Sequence, residues 1–485
     1  MIPLPFPARL GGSALRASKV SLAGLALLFA PFLQVVPPKD PRRRNRVYTP
    51  ELVFWLCVRG CLAALSTCRE AVLGLRAEYA ARGLDLPSVS TSAFCRAKRK
   101  LPLPWLEGLS GMIAAALEGD AVKGWRWLGH TVKVIDGTTL SLADTPANQA
   151  SWPQSQSQKP GCGFPTMRLV GVFSLATGAL LSRAIGPLAV GERVLFTEGL
   201  LPSLAKRDIV LQDRGLSGYG MATLLLTRGI HVVTRIHQRL SVSITTARRN
   251  APGDRIVRWA KPARPTGNFT GEEWDALPAS LDARLVTVRI DIPGCRTPDY
   301  TILTTLLDHR RYPAAALAEL YRRRWLAELC FRHIKTTMGF GELRAHSPEM
   351  VLRELALDLV AYNLLRCLMA TAAAAHRTDP SGISLAATIQ ALRQFAQGLG
   401  RGHRFIQALL QTIADCRLQR RPGRNEPRAV KRRGKGYPLL NKRRRDMIDI
   451  PHRSRYRSPK KRAAIPRRRT TPLPPEQPAV IVRAP

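Results

Sequence analysis

Apolar residues recur along this chain in two rhythms, and the change between them divides it. From residue 49 to about residue 117 they fall at helical spacing. Thr49-Pro50-Glu51 reads as an N-cap followed by a proline in the first turn. An apolar helix follows over Leu52–Leu62, then an amphipathic one over Cys68–Arg82 that stops at Gly83. Ser92–Arg99 predicts a short basic helix and Pro104–Leu117 another, together a compact all-α unit whose basic surface includes Arg96, Lys98, Arg99 and Lys100. At about Thr131 the period drops to two. Val132–Asp136, Met167–Leu175 and Ala179–Ile185 predict strands, the last two joined as a hairpin at Ala176-Thr177-Gly178, with a polar loop over Ser151–Pro165. Glu192–Leu204 reads as a helix, Asp208–Asp213 as a buried strand, Gly218–Thr227 as a helix and Ile230–Ile236 as a strand. This β-β-β-α-β-α-β order demands a mixed sheet covered by helices, the α/β (α+β) class. Residues 238–300 are rich in Arg, Pro and Gly, with strand-like runs at Arg255–Trp259 and Arg284–Ile290, and predict a β-rich insertion. Tyr300–Leu307 returns to the main fold, and helices over Ala314–Lys335, Pro348–His376 and Ala386–Leu418 close it. No internal repeat is visible.

Charge narrows the function. Of 485 residues, 75 are Lys or Arg and 34 are Asp or Glu, a net charge of +41. That excludes an ordinary acidic or neutral metabolic enzyme and points to a polyanion, foremost nucleic acid, with an anionic membrane surface as the rival. A hydrophobic content of 45% excludes global disorder. Between Arg417 and Arg469, 22 basic residues face only Glu426, Asp446 and Asp449, interleaved with Pro and Gly. Such a tail cannot order itself alone. Val20–Val36 is uncharged and apolar, but Pro31 and Gln34 interrupt it and no cleavage site follows, so it is read as a helix or buried arm rather than a membrane span. The nine cysteines contain no CxxC pair, which excludes a zinc ribbon and a disulfide framework and suits a reducing cytoplasm. Cys57, Cys61 and Cys68 are expected near one another as buried apolar thiols. The expected layout is an extension over 1–48, a helical DNA-binding domain over 49–125, a core over 126–237 and 301–416 interrupted by the insertion 238–300, and the basic tail 417–485.

The chemistry is expected at three carboxylates. Asp136 and Asp213 each end a predicted strand, before Gly137-Thr138 and Arg214-Gly215. Carboxyl ends of strands are where such sheets build sites, although Asp before Gly is also a common turn. Tyr321, Arg324, Glu328 and Lys335 lie 3, 4 and 7 residues apart on one predicted helix, within a stripe of roughly 60°. Their neighbours Trp325, Leu326, Leu329, Phe331 and Ile334 are apolar, so charges on this helix need partners, and a metal or phosphate would supply them. An intrahelical Arg324–Glu328 pair is the plainer reading.

The pattern Tyr-x2-Arg-x3-Glu-x6-Lys resembles the signature of insertion-sequence family four, the bacterial cut-and-paste DDE transposases. Asp136-Gly137-Thr138 and Asp213-Arg214-Gly215 are similar to the family's two Asp motifs, and the segments Ser92–Lys98, Leu303–Leu307 and Ala361–Leu364 to its flanking regions, so the resemblance covers roughly residues 50–400. It implies a ribonuclease-H-like core that gathers Asp136, Asp213 and Glu328 as catalytic residues and as ligands of two Mg²⁺ ions, which Mn²⁺ replaces. It implies phosphate contacts from Tyr321, Arg324 and Lys335, and an aromatic of the insertion that holds a flipped base; Trp259 and Trp274 are candidates by type, with core packing the better reading for both. The implied activity is binding of terminal inverted repeats, hydrolytic end cleavage and joining of the 3′-OH to target DNA. The implied assembly is a homodimer holding two DNA ends, in the cytoplasm on the nucleoid and away from membranes. The alternatives are a derivative that binds DNA without cutting and a nuclease that cuts without joining. The five histidines near these motifs, His130, His231, His237, His309 and His333, match no metal spacing.

Overall fold

The computed structural model describes residues 26, 28–30, 47–62, 67–236, 244–265, 269–291, 299–396, 399, 402–418 and 480–483. Nearly all of the arm expected at Val20–Val36, most of the basic tail and His237 lie outside these residues.

Four helices open the fold, α1 (Pro50–Leu62), α2 (Cys68–Ala80), α3 (Ser92–Arg99) and α4 (Leu103–Gly119). Local chemistry sets their ends. The Thr49 hydroxyl accepts from the Leu52 amide, and Thr67 with Glu70 forms a capping box on α2. The chain then runs through β1 (Val132–Leu142), α5 (Pro146–Ser151), β2 (Thr166–Ser174), β3 (Leu180–Pro187), the single turn α6 (Glu192–Val194), β4 (Ile209–Gln212), α7 (Tyr219–Thr227) and β5 (His231–Arg235). Strands β6 (Ile244–Ala251) and β7 (Asp254–Ala260), α8 (Gly271–Asp275), and strands β8 (Ser280–Asp291) and β9 (Asp299–Thr304) come next. Helices α9 (Ala314–Arg322) and α10 (Trp325–Arg332), the short β10 (Glu342–Leu343), and α11 (Pro348–Ala375), α12 (Leu385–Phe395) and α13 (His403–Asp415) complete the core, with β11 (Val480–Arg483) near the C-terminus.

One mixed sheet runs β3-β2-β1-β4-β5-β9-β8-β7-β6. β1, β4 and β5 are parallel, while β2 and β3 fold back antiparallel. The insertion strands extend this sheet, because β9 pairs with β5 on one side and β8 on the other. β8 outruns β7, whose pairing stops at Val286, and the β-branched run Val480–Val482 takes up the backbone left over, Val480 opposite Val288. Four residues of the basic tail are therefore sheet.

Each sheet face has its own core. Val132, Val134, Ile209 and Leu211 pack with α10 and α11, and Ile135, Val170, Val172 and Val210 pack with α7 and Leu195–Leu200. The N-terminal helices share the first of these cores, packing on α11 through α1 and α4. α11 is apolar and long enough to cross a membrane by composition, yet 94% of its most apolar window is buried in protein. Its Asn363, fully buried, accepts from the Leu180 amide at 2.9 Å and donates to the Leu180 carbonyl at 3.0 Å, pinning β3.

Three expected elements differ. β1 does not stop at Asp136. It runs on to Leu142 because Gly137 and Thr138 pair with Val170 and Leu169 of β2. The expected helix Glu192–Leu204 is α6, a wide π-helical turn and a 3₁₀ turn. The expected helix Ala314–Lys335 is broken. Arg324 N, Leu326 N and Ala327 N bond three residues back rather than four, and His333–Thr337 widens into a π-helical turn.

Candidate active site

Register brings the first two carboxylates together. Ile135 of β1 lies opposite Gln212 of β4, so Asp136 and Asp213 occupy the next rung of neighbouring parallel strands. Alternation turns Asp136 to the face of Val134, where α10 packs. Glu328 projects from α10. The break between α9 and α10 places Tyr321 and Arg324 above the strand ends, and the π-helical turn swings Lys335 down so that its Nζ donates to Thr138 Oγ1 at 3.1 Å. The four-residue signature is thus spread over two helices, their junction and a turn, and still converges on β1 and β4.

Electrostatics show the convergence. Burial pushes the Asp136 carboxyl up to about 6. The Gly137 amide and Arg324 pull it down, while Glu328 and Glu192 raise it further. Its Oδ1 accepts from the Gly137 amide at 2.9 Å, and Asp213 Oδ1 accepts from the Arg214 amide at 2.7 Å. Arg324 Nη2 donates to Glu328 Oε1 at 2.8 Å. Burial disfavours the Arg324 charge, but Tyr321, Glu328 and Asp213 outweigh it. Tyr321 is buried, its ring 5.8 Å from Tyr300, and burial with Asp213 nearby keeps its phenol protonated. Burial lowers the Lys335 ammonium.

As placed, no three of the described His, Cys, Asp and Glu side chains close around a common point that could hold a metal. Glu328 is turned to Arg324, and each Asp spends one oxygen on the following amide. The donor chemistry nevertheless fits a hard divalent cation. It is all carboxylate oxygen, and burial, with Glu328 and Glu192 nearby, disfavours the Asp136 charge, a penalty that a bound cation would relieve.

Burial decides several of the remaining candidates. Trp259 and Trp274 are each 2% exposed. They pack against Tyr219 in the second core, so neither is open to a base. Lys98 is half-buried and faces the Cys57, Glu354 and Asp358 side of the helical unit, so it leaves the basic surface to Arg96, Arg99 and Lys100. Cys61 donates to Asp358 Oδ1 at 3.3 Å. His130 bonds Tyr312, His231 bonds Thr305 and His333 meets Arg366.

Three residues escaped the sequence. Thr138 receives Lys335, and Glu192 approaches β1 at Gly137. Trp325, read above as one of the apolar neighbours of the charged stripe, is 53% exposed on α10 between Arg324 and Glu328. Only its position directly after Arg324 could have marked it.

Residues 127–364 match the family model described as Transposase DDE domain. The chain is 28% identical over 366 residues to the transposase InsG of insertion sequence element IS4 from Escherichia coli K12, covering 73% of this chain and 80% of that protein. It is 26% identical over 154 residues to the putative transposase y4zB of Sinorhizobium fredii, covering 32% of this chain and 40% of that one. A solved piggyBac transposase synaptic complex with hairpin DNA aligns over 87% of this chain and 90% of its own, at a TM-score of 0.37 and 10% identity, too loose a likeness to bear on the site.

Proposed function

We propose that the chain is a DDE transposase of insertion-sequence family four, a reading supported by the family match and the similarity to the IS4 transposase, and that it cleaves the terminal repeats of its element and joins the freed 3′-OH ends to target DNA. The observation that supports this is that Asp136 and Asp213 follow the last paired rung of β1 and β4, while Glu328 of α10 acts on Asp136 and pairs with Arg324. The strand order β3-β2-β1-β4-β5 and its directions support a ribonuclease-H-like core.

Asp136, Asp213 and Glu328 would hold two Mg²⁺ or Mn²⁺ ions, which supply Lewis-acid activation of a water and stabilisation of the leaving 3′-oxygen. Arg324 is the counter-charge of Glu328 while DNA is absent and a phosphate contact when it is present. Lys335, anchored at Thr138 beside Asp136, neutralises a second phosphate. Tyr321, buried beneath Arg324, positions that guanidinium. In the first step water attacks phosphorus, the P–O3′ bond breaks and the 3′-oxygen leaves as a hydroxyl. In the joining step that hydroxyl forms the new P–O bond, and the target's 3′-oxygen leaves. Both are in-line displacements that one site can serve. Two copies of the chain in one complex, working in the cytoplasm on the nucleoid, would act on the two ends.

The test is incubation of purified protein with Mg²⁺ or Mn²⁺ and DNA carrying the element's own terminal repeats. End cleavage and joining are expected, with Glu328→Ala inactive. Absence of cleavage in both ions would refute the enzyme, and equal cleavage by Glu328→Ala would refute the triad.

Trp325 offers an exposed ring next to the triad, where an unstacked base at a cut end would find a stacking partner. Trp325→Ala is expected to weaken binding of nicked terminal-repeat DNA by about tenfold, on the scale of one lost base–aromatic stack. Intact-duplex affinity should change little. Equal losses on both substrates would place Trp325 outside the cut end.

A further inference from the structure

Glu192, the first residue of α6, carries an unused charge at the catalytic strand. A Cβ built on Gly137 would lie 2.5 Å from Glu192 Cδ and Oε1 and 2.9 Å from Oε2. The Glu192 carboxylate therefore fills the space that any other side chain at position 137 would take. The approach is held from both sides. Arg168 Nη1 donates to the Val190 carbonyl at 3.0 Å. Arg193 donates to the carbonyls of Gly215 at 2.8 Å and Ser217 at 3.0 Å, in the loop that follows Asp213. Arg193, the nearest cation in sequence, is thus turned away from its neighbour. Among the described residues the Glu192 carboxylate has no hydrogen-bond or ion-pair partner, its backbone carbonyl alone accepting from the Leu195 amide. Gly137 and Asp136 alternate across the sheet, so Glu192 reaches β1 from the side opposite Glu328.

A half-buried carboxylate held beside β1, between β2 and the loop that follows β4, without a protein cation is costly unless something positive arrives. We propose that Glu192 is a positioning residue of the catalytic centre, a fourth carboxylate that orients the water shell of the divalent cation held at Asp136, and that position 137 is glycine in order to admit it. This rests on the triad reading above. Mg²⁺ keeps several of its waters in protein sites. Groups that hydrogen-bond a metal's ligands from outside commonly change its affinity by about 10–100-fold.

The experiment is a Mn²⁺ titration of the full-length protein, with free Mn²⁺ read by electron paramagnetic resonance. Glu192→Gln, nearly the same shape without the charge, is expected to weaken Mn²⁺ binding by about tenfold or more. The Mn²⁺ needed for half-maximal end cleavage should rise in parallel, and excess Mn²⁺ should restore cleavage. Glu198→Gln, an exposed carboxylate on the same segment, should bind as wild type. Gly137→Ala should reproduce the Glu192→Gln defect and add nothing to it in the double variant. Wild-type Mn²⁺ affinity in Glu192→Gln, or cleavage lost without rescue by Mn²⁺, would overturn the role of Glu192. If wild type itself shows no Mn²⁺ site that Asp136→Asn removes, the triad reading falls instead.

Discussion

Asp136→Asn is expected to abolish end cleavage, by on the order of a thousandfold or more, and at the same time to stabilise the metal-free protein at neutral pH. Both effects come from one carboxyl. Burial, with Glu328 and Glu192 nearby, raises Asp136 from its ordinary 3.8 to about 6. The folded state therefore holds a proton that the unfolded chain gives up near pH 4. Stability that depends on this proton is complete below about pH 4 and is lost as pH rises through about 6. Above that, the folded protein carries a charge it disfavours. Two pKa units set an upper bound of about 3 kcal/mol, and partial solvent contact brings the expectation to about 1–2 kcal/mol. Asparagine keeps the shape and the amide contact but not the charge. Thermal melts in EDTA should show Asp136→Asn matching wild type near pH 4 and melting higher at pH 8, with the advantage shrinking when Mg²⁺ stabilises wild type. A variant that melts no higher at pH 8 would contradict the crowded-charge account of the site.

The largest effect on stability is expected at Arg284→Met. Arg284 is fully buried in β8, and its Nε donates to Asp254 Oδ1 at 2.8 Å and its Nη1 to the Tyr312 carbonyl at 2.7 Å. Burial alone would raise Asp254, but hydrogen bonds from Arg284 and Asn250 hold it below its usual range. Its contribution is therefore present above about pH 4 and lost as acid protonates it. Removing the guanidinium strands a buried carboxylate, at a cost of about 3–5 kcal/mol. Denaturant unfolding should report that loss. The double change Asp254→Leu with Arg284→Met should recover much of it, because two apolar groups leave no orphan charge. Tyr312 lies just before α9, so the single variant should also loosen the helix pair that carries Tyr321 and Arg324. No loss in the single variant would mean that water already reaches the pair.

Much of the site was legible along the chain because the chemistry needs particular residue types at particular places. Asp136, Asp213 and Glu328, with Tyr321, Arg324 and Lys335 around them, stood out by type and spacing before any fold was known, and β1, β4, β5 and the hairpin followed from alternation. The reading went astray where local signals do not carry pairing information. Gly137-Thr138-Thr139 looks like a turn, yet β2 holds it as strand. The apolar period runs unbroken from Ala314 to Lys335, yet the chain breaks at Arg323–Arg324.

By itself, then, the sequence marked out the mixed α/β class, the order of the main elements, the six candidate residues and the polyanion expected to meet a chain of charge +41. These depend on residue type and short-range period, which a linear chain displays. The tertiary structure alone decided which side chains stay open and which contacts they make. Trp325 is exposed while Trp259 is buried, Arg324 sits on Glu328, and Glu192 enters the space at Gly137 from 55 residues away in the chain. Burial and register arise only when distant segments pack, so no local pattern could have announced them.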